Sequence, residues 1–368
     1  MKTFPGAVAL QQRVLPNYRA PFFDTLAQRC EGGLSLLAGQ PRPNESIATT
    51  EQLQVATYRP TQNLHFFTGP FYLCWQRGLL DWLEETDAAA LIVEANPRYL
   101  STQQAINWMH TRGRPVIGWG LGAPPLQGPL AAIRQRRRVH FLSQLDAIIA
   151  YSERGAEQYR ALGMPTDKIF VAHNAVAPPP QHVQPERPNT ISDKATVLFV
   201  GRLQTRKRLD LLFQACAQLP EEIQPDLHIV GDGPARQEFE ELAKTIYPKA
   251  KFLGAKHGEA LDEFFKAADL FVLPGTGGLA VQQAMSHALP VIVAEGDGTQ
   301  NDLVRPENGW LVPPGNVASL SQSLQDALSD IPRLRKMGAA SYRITREEIN
   351  IEAMAATFVA VLLQVTNL

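Results

Sequence analysis

The sequence has few cysteines, no long apolar run and almost no net charge. Its three cysteines, Cys30, Cys74 and Cys216, are widely separated and form no Cys-x-x-Cys pair, so neither a disulfide framework nor a zinc site is expected. The longest apolar run near the end, residues 353–363, is shorter than the about 20 residues of a membrane span. Residues 1–10 lack the apolar core of a signal peptide. The net charge of −1 gives no overall case for nucleic-acid binding. We therefore expect a soluble, cytoplasmic protein.

Apolar runs alternate with helical patterns along the whole chain. This alternation predicts an α/β fold, in which parallel sheets are covered by helices. The 368 residues favour two domains. The predicted strands are residues 34–38, 89–93, 116–119, 147–150 and 169–172, followed in the second half by 196–200, 227–230, 250–253, 270–273 and 291–294.

A change of composition marks the expected domain boundary. Residues 177–193 contain five prolines and many polar residues, which is typical of a linker. We predict a first domain over residues 1–176, a linker over 177–195 and a second domain over 196–346. Two doubly wound domains joined in this way predict a cleft, with ligands at the carboxyl ends of the strands.

Two basic residues follow the first predicted strand of the second domain. Arg202 comes directly after Gly201, and Lys207 lies five residues further on. A planar guanidinium and a mobile ammonium both suit a diphosphate. A pair of solvated surface cations fits the spacing equally well.

Two glycine-rich turns follow later strands of the same domain. Gly231-Asp232-Gly233 forms a tight turn, for which a purely structural role is the simpler interpretation. Residues 275–279 contain Gly275, Gly277, Gly278 and Leu279 and precede a predicted helix. Free amides at a helix start attract phosphate, so three specialised strand ends together indicate an anion site.

Four motifs in this order resemble those of glycosyltransferase family 4, which are retaining enzymes with the GT-B fold. The motifs are Gly201-Arg202-Leu203 with Lys207, residues 230–234, residues 268–274 and residues 283–292. The resemblance covers residues 196–315. It implies two Rossmann-like, doubly wound parallel-sheet domains facing a cleft, with a last helix, residues 347–368, that returns to the first domain.

The resemblance also assigns roles to residues of the donor site. Arg202 and Lys207 would bind the diphosphate of a nucleotide sugar and stabilise the leaving nucleotide. The remaining donor-binding positions are Gly201, Gly231, the base-holding Leu253, Gly254 and His257, and the phosphate-cradling Gly277, Gly278 and Leu279. The expected donor is UDP-glucose, and no cofactor or metal is expected.

The sequence departs from the family at three positions. Many members carry glutamates at the positions of Gly275 and Gln283; Gln283 retains an acceptor oxygen for the ribose, but Gly275 has no carboxylate for the donor sugar. Asp297 and Thr299, or backbone amides, are candidates to compensate. Leu121 stands where relatives often have a histidine near the donor sugar.

The first domain carries the expected acceptor side. Tyr18 and Arg19 lie in a loop similar to one that faces the cleft in the family, while core packing suits the phenylalanines that follow. Glu94 ends a strand and would act as base or bind an acceptor hydroxyl, although surface polarity also explains it. Trp119 and Gly120 end another strand; a dinucleotide site there is disfavoured by the two prolines that follow.

One basic run stands out in this domain. Arg134, Arg136, Arg137 and Arg138 lie on a predicted helix together with apolar residues. Basic residues near an anionic bilayer contribute about 1 kcal/mol each, so an association with the inner face of the plasma membrane is expected. A solvated helix face is the alternative.

These features predict a retaining glycosyltransferase that moves a hexose from a UDP-sugar to a growing or lipid-linked glycan, as in envelope or exopolysaccharide assembly. The departures at Gly275 and Leu121 keep open a non-catalytic nucleotide-sugar-binding subunit. An epimerase acting on UDP-sugars with the same fold is a third possibility, although it needs acid–base residues that the sequence does not reveal.

Overall fold

A computed structural model describes residues 2–43, 45, 47–191 and 193–367. The chain divides into two compact units. Unit 1 runs to Pro178 and takes up the chain again from Ile351, and unit 2 spans Pro179–Asn350. Ser192, within the predicted linker, lies outside the described residues.

Unit 1 is built around a seven-stranded parallel sheet. Its elements up to Pro178 are β1 (Val8–Val14), α1 (Ala20–Ala27), β2 (Leu34–Gly39), β3 (Thr57–Thr61), β4 (Asn63–Phe66), β5 (Leu73–Gln76), α2 (Leu79–Thr86), β6 (Ala90–Glu94), α3 (Leu100–His110), β7 (Val116–Gly120), α4 (Ala131–Ser143), β8 (Ala147–Ala150), α5 (Glu153–Ala161) and β9 (Ile169–Val171). The sheet has the order β3-β2-β1-β6-β7-β8-β9, and β4 and β5 form a separate antiparallel hairpin.

Unit 2 is built around a six-stranded parallel sheet. Its elements are β10 (Thr196–Val200), α6 (Leu209–Ala217), β11 (Asp226–Val230), α7 (Arg236–Ile246), β12 (Ala250–Phe252), α8 (Glu259–Ala267), β13 (Leu270–Leu273), α9 (Leu279–Ser286), β14 (Val291–Ala294), α10 (Thr299–Leu303), β15 (Gly309–Val312), α11 (Val317–Ser329) and α12 (Ile331–Glu347). The sheet has the order β12-β11-β10-β13-β14-β15. In both sheets the strand order therefore reverses beside the first strand, as in Rossmann-like folds.

The α/β prediction is confirmed, and each predicted strand is found to within one residue at either end. The central strands β13 and β14 are buried at every position, as expected for parallel strands covered on both faces. The list of predicted strands omitted β1, β3, β15 and the β4–β5 hairpin.

The C-terminal helix, α13 (Ile351–Thr366), begins later than the predicted residue 347. The side-chain amide of Asn350 donates to the carbonyls of Thr345 and Arg346, which ends α12 and separates the two helices. Helix α13 packs on α1 in unit 1, where the Phe358 and Phe22 rings lie 5.1 Å apart.

No single helix in the described part of the chain is long and apolar enough to cross a membrane. Helices α12 and α13 meet the criteria of length and composition only when taken together, with a bend of 41° between them. The apolar residues of α13, including Phe358 and Leu362, are buried in unit 1.

The predicted linker is largely part of unit 2. The Arg187 guanidinium donates to the carbonyls of Phe265 and Ala268, at the end of α8, and to those of His287 and Ala288, after α9. Carbonyls at helix ends lack partners within the helix, and a cation suits the negative end of the helix dipole. The hydrogen bonds of Arg187 thus hold this segment against the rest of unit 2, although its composition is typical of a linker.

Candidate functional site

The donor-side residues of unit 2 meet where its strand order reverses. Strands β10 and β13 are parallel neighbours, and their carboxyl ends lead into residues 201–207 and 274–279. The helices that follow such strands lie on opposite faces of the sheet, which opens a crevice between the two loops. The sheet therefore places two of the three predicted phosphate-binding segments side by side.

Direct hydrogen bonds join these two segments. The Lys207 Nζ donates to the Thr276 carbonyl at 2.7 Å, and the Thr276 amide donates to the Arg206 carbonyl at 3.2 Å. The Arg206 guanidinium adds a bond to the Thr276 hydroxyl at 3.1 Å. Residues 205–207 form a single 3-10 turn, so the lysine is held on a fixed piece of backbone. Sequence reasoning missed the part played by Arg206, which had no motif signal.

Two glycines provide the space for this contact. A Cβ on Gly275 would lie 2.3 Å from the Arg206 carbonyl oxygen, and a Cβ on Gly277 would lie 2.5 Å from the Lys207 Nζ. Gly277 also has a φ of 146°, which side chains rarely adopt. In this conformation no side chain fits at position 275, so the family glutamate is excluded by the turn that carries Lys207.

Burial alters the charge state of Lys207. Removal from water is the main cause and the nearby charge of Arg206 is the second; together they lower the pKa of Lys207 to about 8. A desolvated ammonium interacts more strongly with an anion than one in bulk water. A phosphate bound beside this lysine would therefore favour its protonated form.

The start of α9 offers unpaired donors to the same crevice. Gly278 precedes the helix without a side-chain cap, and the first turn contains no acidic residue. The amides at a helix start have no partners within the helix and carry partial positive charge. Arg202 is exposed, and its side chain forms no hydrogen bond or ion pair with the described residues. Both features suit an anion, and Leu279 is 47% exposed beside them.

The loop after β11 packs directly on the loop after β10. A Cβ on Gly231, whose φ is 145°, would lie 1.9 Å from the Gly201 carbonyl oxygen. The Gly231 amide donates to the Gly254 carbonyl at 2.9 Å, which draws the end of β12 to the same edge. Leu253 is half-buried and His257 is exposed in the following segment. The glycines thus have a clear packing role, and they bring the proposed base-binding residues to this edge.

The other predicted donor residues lie on and beyond α9. Gln283 is half-buried, and its amide reaches Asp262 at 3.5 Å. The Asp297 carboxylate accepts from the amide and hydroxyl of Thr299, so one of its oxygens is already engaged. Gln300, which sequence reasoning missed, donates to the Gly277 carbonyl at 3.1 Å and so supports the glycine loop.

In unit 1, Glu94 lies at the corresponding reversal of strand order. It ends β6, and its carboxylate accepts from the Arg13 amide of neighbouring β1 at 2.6 Å. Burial is the main influence on Glu94 and raises its pKa, although the Arg13 amide and the Tyr99 hydroxyl favour the ionised form. A carboxyl with a raised pKa at a strand end suits acid–base chemistry.

The structure corrects the acceptor-side interpretation of Arg19. This residue is only 6% exposed, and its guanidinium packs against the rings of Tyr18, Trp119 and Tyr151. It also donates to the side-chain oxygen of Asn174. The buried Arg19 guanidinium therefore stabilises the packing of unit 1. The neighbouring Tyr18 is 41% exposed.

A cavity of about 1050 Å³ opens above the carboxyl ends of β6 and β7. Glu94, Trp119, Gly120 and Leu121 line it from these strand ends. Gly120 is required by packing, because a Cβ there would lie 2.6 Å from the Tyr159 hydroxyl. The loop of the β4–β5 hairpin and helix α4 complete the lining. This cavity was not predicted, because the β4–β5 hairpin that forms part of its lining was not predicted.

The basic run of α4 is divided between two environments. Arg134, Arg137 and Arg138 line the cavity and Arg136 does not, although Arg136 and Arg137 are both exposed. Residues three and four apart share one helix face, which explains the division. Most of these arginines therefore line the cavity of unit 1, and the association with an anionic membrane surface stays a prediction.

Among the described residues, no group of three or more histidine, cysteine, aspartate or glutamate side chains is placed to hold a metal ion. The three cysteines are buried and form no disulfide. The positive charge around the loops of unit 2 is supplied by Arg202, Arg206 and Lys207.

Comparison with known proteins finds a family model that matches most of unit 2. Residues 181–344 match the family model of glycosyl transferases group 1. A sulfoquinovosyl transferase of Arabidopsis thaliana is 31% identical over 161 residues, which are 42% of this chain and 31% of that protein. The chain thus aligns with about a third of that relative's length. A lipopolysaccharide core biosynthesis glycosyltransferase, LpsE of Rhizobium meliloti, is 21% identical over 76% of this chain and 87% of its own.

A solved structure resembles the whole chain in fold. Anabaena HepE, determined in complex with UDP, superposes with a TM-score of 0.68 and 16% identity, covering 99% of this chain and 100% of that one. At this identity the likeness shows the fold, and it agrees with the two Rossmann-like units of the GT-B fold. The match over residues 181–344 makes this part of the chain similar to the glycosyl transferases group 1 family.

Proposed function

We propose that this chain is a retaining glycosyltransferase of family 4 that takes a hexose, by preference glucose, from a UDP-sugar and passes it to a growing or lipid-linked glycan. One observation carries the proposal. Within the region that matches the group 1 family model, the half-buried Lys207 ammonium donates to the Thr276 carbonyl at 2.7 Å, beside the glycine loop and the unpaired amides of α9. Cytoplasmic location at the membrane remains a prediction.

The chemistry follows from charge. When the bond from the sugar to the diphosphate breaks, negative charge grows on the leaving phosphate oxygens. Lys207, Arg202 and the amides of residues 278 and 279 would stabilise that charge as preorganised donors. The proton of the acceptor hydroxyl would pass either to the leaving phosphate or to Glu94, and in neither case is an enzymic nucleophile required. We expect no metal to be needed, and transfer should persist in EDTA.

Support for uridine and for glucose comes from the resemblance and the neighbours. Anabaena HepE has been solved with UDP and also with UDP-glucose. In this chain, Leu253 and Gly254 follow β12 at the same sheet edge as the predicted phosphate-binding segments, and a base would lie there. Gln283 offers an acceptor oxygen for ribose hydroxyls. Screening UDP-, GDP- and ADP-sugars by thermal shift would identify the base and the sugar together.

A matched set of variants tests the proposal. Lys207→Ala and Arg202→Ala should each weaken UDP binding and lower transfer, because each removes a cation from the developing charge; one lost donor of this kind costs about 100-fold or more in kcat. Lys244→Ala is the control, since Lys244 is an exposed lysine of α7 in the same unit. Unchanged turnover in the double variant Arg202→Ala/Lys207→Ala would show that the roles are wrongly assigned.

A non-catalytic nucleotide-sugar-binding subunit is the second candidate. The observation that favours it is steric: the turn at Arg206 leaves no room for a carboxylate at position 275. Donor binding with neither transfer nor donor hydrolysis above background would support this candidate. Measurable transfer by the purified protein would exclude it.

A further inference from the structure

The cavity of unit 1 carries more positive than negative charge. Its lining contains four arginines, Arg98, Arg134, Arg137 and Arg138, and one acidic residue, Glu94. Arg134 and Arg138 donate only to backbone carbonyls, those of Gln127, Pro129 and Pro124, which neutralise no charge. Within the described chain, the side chains of Arg98 and Arg137 form no hydrogen bond or ion pair.

The four guanidinium groups line one cavity, where their like charges are unfavourable. Burial lowers the pKa of Arg138, and the charges of Arg98 and Arg134 lower it further. Like charges in a partly desolvated space are unfavourable unless an anion compensates them. Arginine presents a planar fork of donors that matches the oxygens of phosphate. The four arginines of the cavity therefore suit the binding of a phosphoryl group.

The opposite wall is apolar and exposed. Phe67 and Phe71, in the loop of the β4–β5 hairpin, are 72% and 47% exposed, and Leu121 is 38% exposed. Phe67 has a φ of 57°, a left-handed conformation that is strained for a phenylalanine. Exposed aromatic side chains along a cavity mark a surface for an apolar ligand.

We infer that the unit 1 cavity binds an acceptor that carries a phosphate ester next to an apolar portion, with its reacting hydroxyl directed to Glu94. This inference rests on the proposed glycosyl transfer and names its acceptor class. The phosphate would lie against Arg98 and Arg137, which are the two arginines without partners. The ester would be that of a lipid-linked phosphate, a phosphomonoester or diester whose apolar portion would lie along Phe67, Phe71 and Leu121.

Three probes and two variants test this inference by calorimetry in the absence of donor. Octyl phosphate carries both features, octyl glucoside carries the chain without the charge, and glucose 6-phosphate carries the phosphate without the chain. The test variant is Arg98→Gln/Arg137→Gln, which removes no side-chain hydrogen bond or ion pair of the described residues. Arg136→Gln is the control, because Arg136 lies on the same helix but outside the cavity.

The wild-type protein and Arg136→Gln should bind octyl phosphate at least about tenfold more tightly than octyl glucoside, and the double variant should lose that preference. Tighter binding of octyl phosphate than of glucose 6-phosphate would support the apolar part of the inference, whereas equal binding of the two would overturn it. Equal binding of octyl phosphate and octyl glucoside, or an unchanged preference in the double variant, would overturn the inference.

The donor site provides an independent readout in the same samples. UDP binding depends on Lys207 and Arg202 in unit 2, so it should be the same in the wild type and in Arg98→Gln/Arg137→Gln. A protein that binds UDP without any phosphate preference in unit 1 contradicts the acceptor class alone. A protein that shows the preference yet fails to bind UDP contradicts the proposed donor function instead.

Discussion

Binding of UDP should weaken as the pH rises above about 8, because of Lys207. Burial and the charge of Arg206 lower the pKa of this lysine from its usual 10.5 to about 8. Half of the ligand-free protein therefore has a neutral Lys207 near that pH. A diphosphate beside the side chain favours the ammonium form, so UDP binds preferentially to the protonated protein.

The magnitude follows from the two pKa values. If bound UDP restores the usual pKa of 10.5, the ligand-free lysine is about 90% neutral at about pH 9 while the bound one is still charged. The dissociation constant should then rise about tenfold between about pH 7 and about pH 9, which corresponds to about 1.4 kcal/mol. Calorimetry in two buffers of different ionisation enthalpy should detect uptake of about half a proton per UDP at about pH 8.

The matched control is Lys207→Arg. An arginine stays charged throughout this range, so its pH profile should be flat apart from the titration of UDP itself, which is common to both proteins. The difference between the two profiles therefore isolates Lys207. A wild-type profile parallel to that of Lys207→Arg, with no proton uptake in the wild type, would refute the contact between Lys207 and the diphosphate.

Three further predictions concern stability and the acceptor side. Gly275→Ala should lower the free energy of unfolding by about 1–3 kcal/mol in urea titrations, because its Cβ would lie 2.3 Å from the Arg206 carbonyl. Gly278→Ala is the control and should cause no such loss, because its Cβ would meet no atom within 4 Å. Equal losses in the two variants would contradict the packing argument. Arg187→Ala should cost about 2–3 kcal/mol through the carbonyls it leaves unpaired, and Arg343→Ala, exposed on α12, should stay within about 0.5 kcal/mol in the same titration. Glu94→Gln should leave UDP binding unchanged and distinguish two roles by steady-state kinetics: loss of a base lowers kcat by about 100-fold or more, while loss of a hydroxyl contact raises the KM for acceptor by about tenfold. No change in either constant would remove Glu94 from the site.

The parallel sheets could be predicted from sequence because their strands are continuous apolar runs. Strands such as β13 and β14 are buried at every position, so no alternation of polar residues obscures them. Strand β3 is different: it lies at the sheet edge with mostly exposed residues, and its sequence, Thr-Tyr-Arg-Pro-Thr, lacks that signal. The same holds for the short β4–β5 hairpin, whose residues are mostly half-exposed.

The predicted phosphate-binding loops of unit 2 could also be recognised from sequence, because they depend on local backbone conformation. Gly231 and Gly277 adopt φ values that disfavour side chains, and such glycines follow strands at fixed positions. Lys207 was identified by its place in a motif, but its hydrogen bond to Thr276 and its lowered pKa depend on the packing of two distant segments. Arg206 and Gln300, which have no motif, were missed for the same reason.

The acceptor side depended on tertiary structure throughout. Arg19 looked like a free cation in sequence, yet three aromatic rings and Asn174 surround it in the fold. The arginines of α4 looked like a single basic run, and the helical period instead directs three of them into the cavity. In both cases the charge pattern was visible, while the environment of each charge was set by residues far along the chain.

Position 275 links the altered motif to the geometry of the site. In sequence, the glycine is the loss of a carboxylate that would contact the donor sugar. In the structure, Gly275 allows residues 274–276 to lie against the turn that carries Lys207, through the bonds between Thr276 and residues 206 and 207. A glutamate there would force the two segments apart and move the lysine from the amides of α9. In the proposed donor site, the substitution would therefore exchange a contact to the sugar for a fixed position of the Lys207 ammonium, and we expect sugar selectivity to come from other groups of the site.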